Sequence, residues 1–232
     1  MNNNPLVSVI IPVKNGELYL AVAIDSVKKQ TYSNYELIVV DDRSTDRSAS
    51  IAQSYKDIKY ILGIGKGSGA SYNAGIDAAN GELITFLDYD DFWTENKLTV
   101  QVNYLNQYPE VQYVIAKMRC FLQSGCSIPL GFRKELLEQD TVSYIPGTLM
   151  VRKSLLESIG KFNSEIVIAS DVDWFAKVKD AKIQMGIIPE VLLHKRVHGQ
   201  NISSNIANNN KELLRVLRQS INRKKTINNQ KI

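Results

Sequence analysis

The chain has 232 residues, 44% of them hydrophobic and 22% charged, with a formal net charge of +4. That balance suits one large α/β domain, leaves little room for a second, and lacks the signature of a disordered chain. It gives no reason to expect a nucleic-acid partner, because the basic residues are spread along the chain until its C-terminal tail. Cys120 and Cys126 make no disulfide framework and read as reduced thiols of a cytosolic protein. Leu6 to Val13, broken by Ser8 and Pro12, reads as a buried strand rather than a signal peptide, and no apolar run approaches the roughly 18 residues of a membrane helix.

Val7 to Pro12 is a β-branched run that predicts a strand buried on both faces. Leu20, Ala23, Ile24 and Val27 recur at helical spacing and predict a helix from about Glu17 to Gln30. Glu36 to Val40 is a second buried strand ending in Asp41-Asp42, after which Ser44 or Thr45 can cap a helix to about Tyr55. Ile58 to Leu62 reads as a third strand. A Gly-rich segment, Gly63 to Gly69, leads into a helix through Ala70, Ala74 and Ala78 that stops at Asn80-Gly81. Glu82 to Leu87 is a fourth strand and runs directly into Asp88-Tyr89-Asp90-Asp91. Beyond it, helices are expected over Glu95–Tyr108, Lys153–Ile159 and Asp171–Val178, strands over Val111–Ala116 and Ile183–Ile188, and extended chain over Tyr144–Val151. Residues 125–140 show no period and read as a mobile loop with a short helix at Lys134–Glu138. From Asn205 onward Asn, Lys and Arg dominate, so a solvated, fraying end is expected, though Leu213, Leu214 and Leu217 could anchor a helix.

Strand–helix alternation at this spacing implies βαβ units and a mainly parallel sheet with right-handed crossovers. The expected organisation is one domain over residues 1–204, with a first half at about 6–108, a second at 109–204, and a basic helix or tail over 205–232. In such sheets ligands bind beyond the carboxyl ends of the strands. Asn15 and Glu17 follow the first strand, Asp41 and Asp42 the second, and Asp88 to Asp91 the fourth, so polar residues converge on one edge.

Asp88, Asp90 and Asp91 crowd three like charges into four residues. A solvated turn or a helix N-cap would account for some of them. At the end of a buried strand, however, three carboxylates repel one another unless a counter-ion is present. Such ligands suit Mg²⁺ or Mn²⁺, ions that commonly bridge protein oxygens to substrate phosphates.

Three segments, VSVIIPVKNGELYLAVAIDSVKKQT, YELIVVDDRSTD and NAGIDAANGELITFLDYDD, run in that order over about residues 6 to 100 and resemble glycosyltransferase family 2. The likeness resumes in GTLMVRKSLLESIGKF, SDVDWFAKVKDAKI and KRVHGQNIS. It implies the GT-A fold, a Rossmann-like, mainly parallel α/β sheet flanked by helices with a smaller acceptor-side region. It also implies an inverting glycosyltransferase that moves a hexose or N-acetylhexosamine from a nucleotide-sugar, with a UDP-sugar favoured. The acceptor stays open between a glycan, a lipid-linked glycan and a peptide.

By the same resemblance, Pro12, Asn15, Glu17 and Asp42 line the nucleotide pocket, and the acidic motif binds ribose and a diphosphate-bound Mn²⁺ or Mg²⁺. Asp90 is the principal expected ligand, Asp88 lies toward the ribose and metal edge beside Tyr89, and Asp91 supports them. Asp42 can accept from a uracil imide N–H or cap the next helix, and the Gly63–Gly69 stretch with Lys66 can approach a diphosphate or serve as a turn. Family members often carry a basic residue where this chain has Tyr72, just before Asn73, which is grouped with the nucleotide contacts. Which cation meets the phosphates is therefore open, with Lys66 the candidate. Asp171 matches the family's catalytic base, although Ser170 replaces the usual preceding Glu, and Asp173 is the alternative. His198 is either a surface residue or a metal ligand that would tilt the preference toward Mn²⁺. Trp93 and Trp174 either stack on a sugar or pack in the core.

The basic end, with Lys211, Arg215, Arg218, Arg223, Lys224, Lys225 and Lys231, is compatible with peripheral membrane contact by an otherwise cytoplasmic protein, and an oligomer is compatible with every feature above. A nucleotidylyltransferase would need a Gly-rich loop with Arg and Lys after the first strand, where this chain has Pro12-Val13-Lys14-Asn15. A non-catalytic nucleotide-sugar-binding protein that keeps the fold is the remaining alternative.

Overall fold

The structure, a computed structural model, describes residues 4–166, 168–199, 201 and 206–229. Its first half holds four parallel strands, β1 (Val7–Val13), β2 (Tyr35–Asp41), β3 (Ile58–Leu62) and β4 (Leu83–Phe86), in the spatial order β3-β2-β1-β4. Helices α1 (Leu20–Lys28), α2 (Ser48–Ser54) and α3 (Ser68–Ala78) make the connections. Val7, Val9 and Ile11 enter one core with Leu20 and Ile24, while Ile10 enters a second with Ile38, Ile76 and Phe86. Both faces of β1 are thus covered, which is why its sequence is an unbroken apolar run instead of an alternating one. Gly75 allows α3 to lie close on β1, since a methyl group there would overlap Ile10 Cγ2.

The second half extends the sheet with mixed polarity. Strand β8 (Met150–Arg152) pairs antiparallel with β4 and with β6 (Tyr113–Leu122). Strand β9 (Met185–Val197) runs parallel to β6, β5 (Phe92–Trp93) closes that edge on β9, and β7 (Thr141–Val142) pairs with β6. Helices α4 (Lys97–Gln107), α5 (Lys153–Ile159), α6 (Ser170–Asp180) and α7 (Ile206–Asn229) complete the chain. Among the described residues, no helix is long and apolar enough to cross a membrane.

Several expectations change. Helix α1 begins at Leu20 instead of Glu17, because Gly16 N donates to Ser48 Oγ (2.8 Å) and Glu17 N to Asp46 Oδ2 (2.9 Å), fastening this loop to the next one. The strand expected to stop at Ile188 continues to Val197; register shifts against β6 at Ala116, Lys117 and Met118 break the alternation that would have revealed it. Residues 125–140 contain a 3₁₀ turn at Lys134–Leu137, with Phe132 and Leu136 packed on the core and Arg119 paired to Asp140 at 2.7 Å. Trp93 and Trp174 are core residues, 3% and 0% exposed, and the Trp93 indole N–H donates to Gly147 O. Cys120 and Cys126 are free thiols.

The basic end is a docked helix instead of a fraying tail. Val216 is buried in a small cluster with Ile166 and Ala169, and Ser220, Arg223 and Lys224 reach Asp180. Lys231 lies outside the described residues.

Candidate active site

A cavity opens beyond the carboxyl ends of β1, β2 and β4. Pro12, Asp42, Asp88, Tyr89, Asp90 and Asp171, all expected site residues, contribute to its wall. The first-half loops reach it by stapling to one another. Asn15, at φ 53°, accepts Thr45 N through Oδ1 (2.8 Å), and Glu17 Oε2 accepts both Arg47 N and Arg47 Nε at 3.1 Å. Neither side chain is part of the cavity wall, and one oxygen of each, Asn15 Oδ1 and Glu17 Oε2, is engaged by the loop after β2.

Asp42 accepts Gly65 N through Oδ1 (2.8 Å) and Gly67 N through Oδ2 (2.9 Å), tying the Gly-rich turn to the end of β2. Each carboxylate oxygen accepts one of these bonds and has a further lone pair. Asp42 does not cap the next helix: Asp41 Oδ1 accepts Ser44 N (2.8 Å) in the intervening loop, and Asp46 Oδ1 accepts Ser48 N (2.9 Å) at the first residue of α2. Gly65 and Gly67 have φ of 78° and 86°, the left-handed region that favours glycine. Lys66 between them is exposed and outside the cavity wall. Asn73 is also outside it: its amide donates to Phe162 O (2.8 Å) and accepts Phe162 N (3.1 Å), joining α3 to the second half.

The acidic motif is held by β9. Asp91, 1% exposed, accepts Arg196 N (2.7 Å) and Lys195 Nζ (3.2 Å). Burial, with Asp90 and Asp88 adding to it, pushes its carboxyl up to about 7. Asp88 Oδ1 accepts the Tyr72 hydroxyl at 2.6 Å; burial raises its pKa against the charge of Lys195, whose Nζ lies 3.8 Å from Oδ2. Burial also works against ionised Asp90, but the hydrogen bond from His198 and the charge of Lys195 outweigh it and hold that carboxyl below its ordinary value. His198 Nε2 lies 3.0 Å from Asp90 Oδ2, and Asn201 Nδ2 donates to the same oxygen at 3.1 Å. His198 is buried, 3% exposed, which removes the surface alternative. Ligand atoms of Asp88, Asp90 and Asp91 lie within 4.8 Å of one another, an all-oxygen set that fits a hard divalent cation.

Asp171 sits in the first turn of α6 and faces the cavity. Burial pushes its carboxyl up to about 6, with Asp88 raising it and Val172 N and Lys195 pulling it down. Asp173 turns away: its side chain is fully buried beside Lys177 Nζ (2.8 Å) and Arg223 Nη1 (3.6 Å), on the α7 side of the helix. Ser170 stands where α3 comes close, since a methyl group on Gly69 would sit 3.1 Å from its Cβ, which accounts for a small residue there.

Two residues that shape the candidate site were not singled out by the sequence. Lys195 lines the cavity from the concealed end of β9. Glu212 Oε2 accepts Ile168 N (2.7 Å) and Ala169 N (3.0 Å), so α7 holds the segment that presents Asp171. Only the quoted KRVHGQNIS segment could have drawn attention to Lys195, and nothing local marks Glu212.

A glycosyltransferase of the GT-A fold is the class that this architecture and the known proteins resembling it define. The model of "Glycosyl transferase family 2" matches residues 8–160, and the chain belongs to that family. It is 34% identical over 218 residues to an uncharacterized glycosyltransferase of Rickettsia typhi, covering 88% of this chain and 68% of the relative. Among solved structures, Staphylococcus aureus TarS (residues 1–349) in complex with UDP-GlcNAc superposes with a TM-score of 0.71 at 22% identity, over 86% of this chain and 60% of that one. A mannosyltransferase from Pyrobaculum calidifontis, in complex with GDP-Man and Mn²⁺, gives 0.71 at 22% identity over 94% and 65%. The chain thus spans less than two thirds of either solved neighbour's length.

Proposed function

We propose that the protein transfers one hexose or N-acetylhexosamine from a UDP-sugar to a glycan, lipid-linked glycan or peptide acceptor, with inversion at the anomeric carbon. The observation that carries this reading is that one cavity is lined both by Asp88 and Asp90, two members of a three-carboxylate cluster, and, separately, by the half-buried carboxylate of Asp171. The UDP-GlcNAc bound by TarS and the GDP-Man and Mn²⁺ bound by the mannosyltransferase support a nucleotide-sugar donor and a divalent ion.

In this reading Pro12, Asp42 and Tyr89 face the nucleotide, and Asp42 is aimed at the base. Mn²⁺ or Mg²⁺ would be held by Asp90 and Asp88, with His198 beside them, and would stabilise negative charge on the diphosphate. Asp171 is the general base. With a pKa pushed to about 6 it is mostly ionised at neutral pH yet basic enough to take a hydroxyl proton during attack. The enzyme would work in the cytoplasm. The outward side of α7, where Lys211, Arg215 and Arg218 accompany the exposed Leu214 and Leu217, supports peripheral contact with an anionic bilayer.

A screen of UDP-, GDP- and dTDP-sugars for metal-dependent hydrolysis tests the reading without requiring the acceptor. UDP release that disappears with EDTA is expected. Nucleotide binding without turnover of any donor would replace the transferase with a binding protein.

A further inference from the structure

We infer that Lys195 is a catalytic residue, its ammonium meeting the donor's diphosphate and stabilising the charge that develops there as the sugar departs. This rests on the transfer reading above. Where family members often carry a basic residue, this chain has Tyr72, whose neutral hydroxyl is spent on Asp88 at 2.6 Å. A cavity built for a diphosphate still needs a cation from the protein, and the described residues offer few. Lys66 lies outside the wall, and Lys14 is on its exposed rim, where solvent screens it. The Arg196 guanidinium is occupied with Asp90 O (2.8 Å) and Gln123 Oε1, and lies over the rings of Tyr19 and Phe121 at 4.6 and 4.8 Å.

Lys195 differs from all of these. Its side chain retains 24% of its exposure and lines the cavity beside the acidic cluster. Nζ is 3.2 Å from Asp91 and 3.8 Å from Asp88, and its side chain shares the cavity wall with Asp171. A cation that touches the acidic cluster and lines the same cavity as Asp171 is placed to meet a diphosphate bound there. Its one hydrogen bond among the described residues goes to Asp91, so an ammonium with three N–H donors has others for an incoming oxyanion.

In the step itself, a bond forms from the acceptor oxygen to the anomeric carbon, and the bond from that carbon to the β-phosphate oxygen breaks. The acceptor proton goes to Asp171 and the electron pair to the diphosphate. Lys195 donates hydrogen bonds to that oxyanion from its place on the cavity wall. Fixed donors aimed at developing charge in a partly desolvated site are commonly worth a factor of about 10²–10³ in rate.

The test compares K195M and K195R with wild-type protein. UDP and uridine are titrated separately, and UDP-GlcNAc turnover is measured with Mn²⁺. K195M is expected to bind UDP at least about tenfold more weakly, to bind uridine unchanged, and to lose on the order of 100-fold in kcat, with K195R recovering part of each. Equal weakening of UDP and uridine, or an unchanged kcat, would overturn the assignment. Should K195M not fold, K195M/D91N against D91N gives the same comparison with the buried charge balanced. Wild-type protein that neither binds UDP nor releases it from UDP-GlcNAc sinks the transfer reading itself; wild-type turnover beside an unaltered K195M sinks Lys195 alone.

Discussion

The two halves of the molecule bring side chains to the same cavity by different physical means. In the first half, position follows from topology: parallel strands end together, so Pro12, Asp42 and Asp88 arrive at one edge because of where β1, β2 and β4 stop. In the second half, position is imposed by contacts between residues distant in sequence. Arg196 N and Lys195 on β9 hold Asp91 from more than 100 residues away, and Glu212 on α7 holds the backbone ahead of Asp171. If the proposed binding groups rest on strand ends and the proposed base on a segment held by a docked helix, the two properties should be lost separately.

Glu212→Ala is expected to make the largest such separation. Two backbone N–H groups lose their acceptor, which should lower stability by about 1–3 kcal/mol. Because a misplacement of about 1 Å can cost 10²-fold, transfer should fall by roughly 10- to 100-fold while UDP affinity stays near wild type. Denaturant melts, kcat and UDP titration check this together. A parallel loss of UDP binding would show that the halves are not separable.

The pH profile gives the next effect. Asp171 must be ionised to act as base, and its carboxyl is pushed up to about 6, so kcat/KM should fall as pH drops through that value. At pH 5 it should be about a tenth of the plateau. The sign for stability is opposite: a raised carboxylate favours the neutral form, so the native state is penalised as pH rises from the ordinary carboxylate value to about 6. Asp171→Asn should therefore melt no lower than wild type at pH 7, and loss of activity in it cannot be ascribed to unfolding.

Lys66→Ala should do least, changing donor KM by no more than about twofold, because the side chain is exposed and outside the cavity wall. A tenfold rise would return the phosphate-binding role to the Gly-rich turn and weaken the case for Lys195.

The same contrast explains what was legible in the sequence. The apolar runs of β1, β2 and β4 and their acidic ends were visible because strand burial and strand termini leave local marks. The proposed base, Asp171, was favoured in the sequence by its match to the family, and the physical difference from Asp173 is visible only in three dimensions, where one lines the cavity and the other lies beside Lys177 and Arg223. Asn15, Glu17 and Asn73 were expected at the nucleotide from the family resemblance; each also holds a backbone N–H of a segment distant in sequence, a contact that no local pattern announces. The register shifts in β9 concealed Lys195, and the polar composition of α7 concealed a docked helix whose burial rests on Val216 and a few charged contacts.

The central claim, that binding and base chemistry share one cavity but rest on different carboxylates, is tested most directly by measuring UDP affinity with Mn²⁺ and UDP-GlcNAc turnover in Asp90→Asn and Asp171→Asn. The account predicts that Asp90→Asn loses metal-dependent UDP binding and turnover together. Asp171→Asn should bind UDP as the wild type does and turn over on the order of 10²–10⁴-fold more slowly. Wild-type turnover in both variants under saturating Mn²⁺ would contradict it.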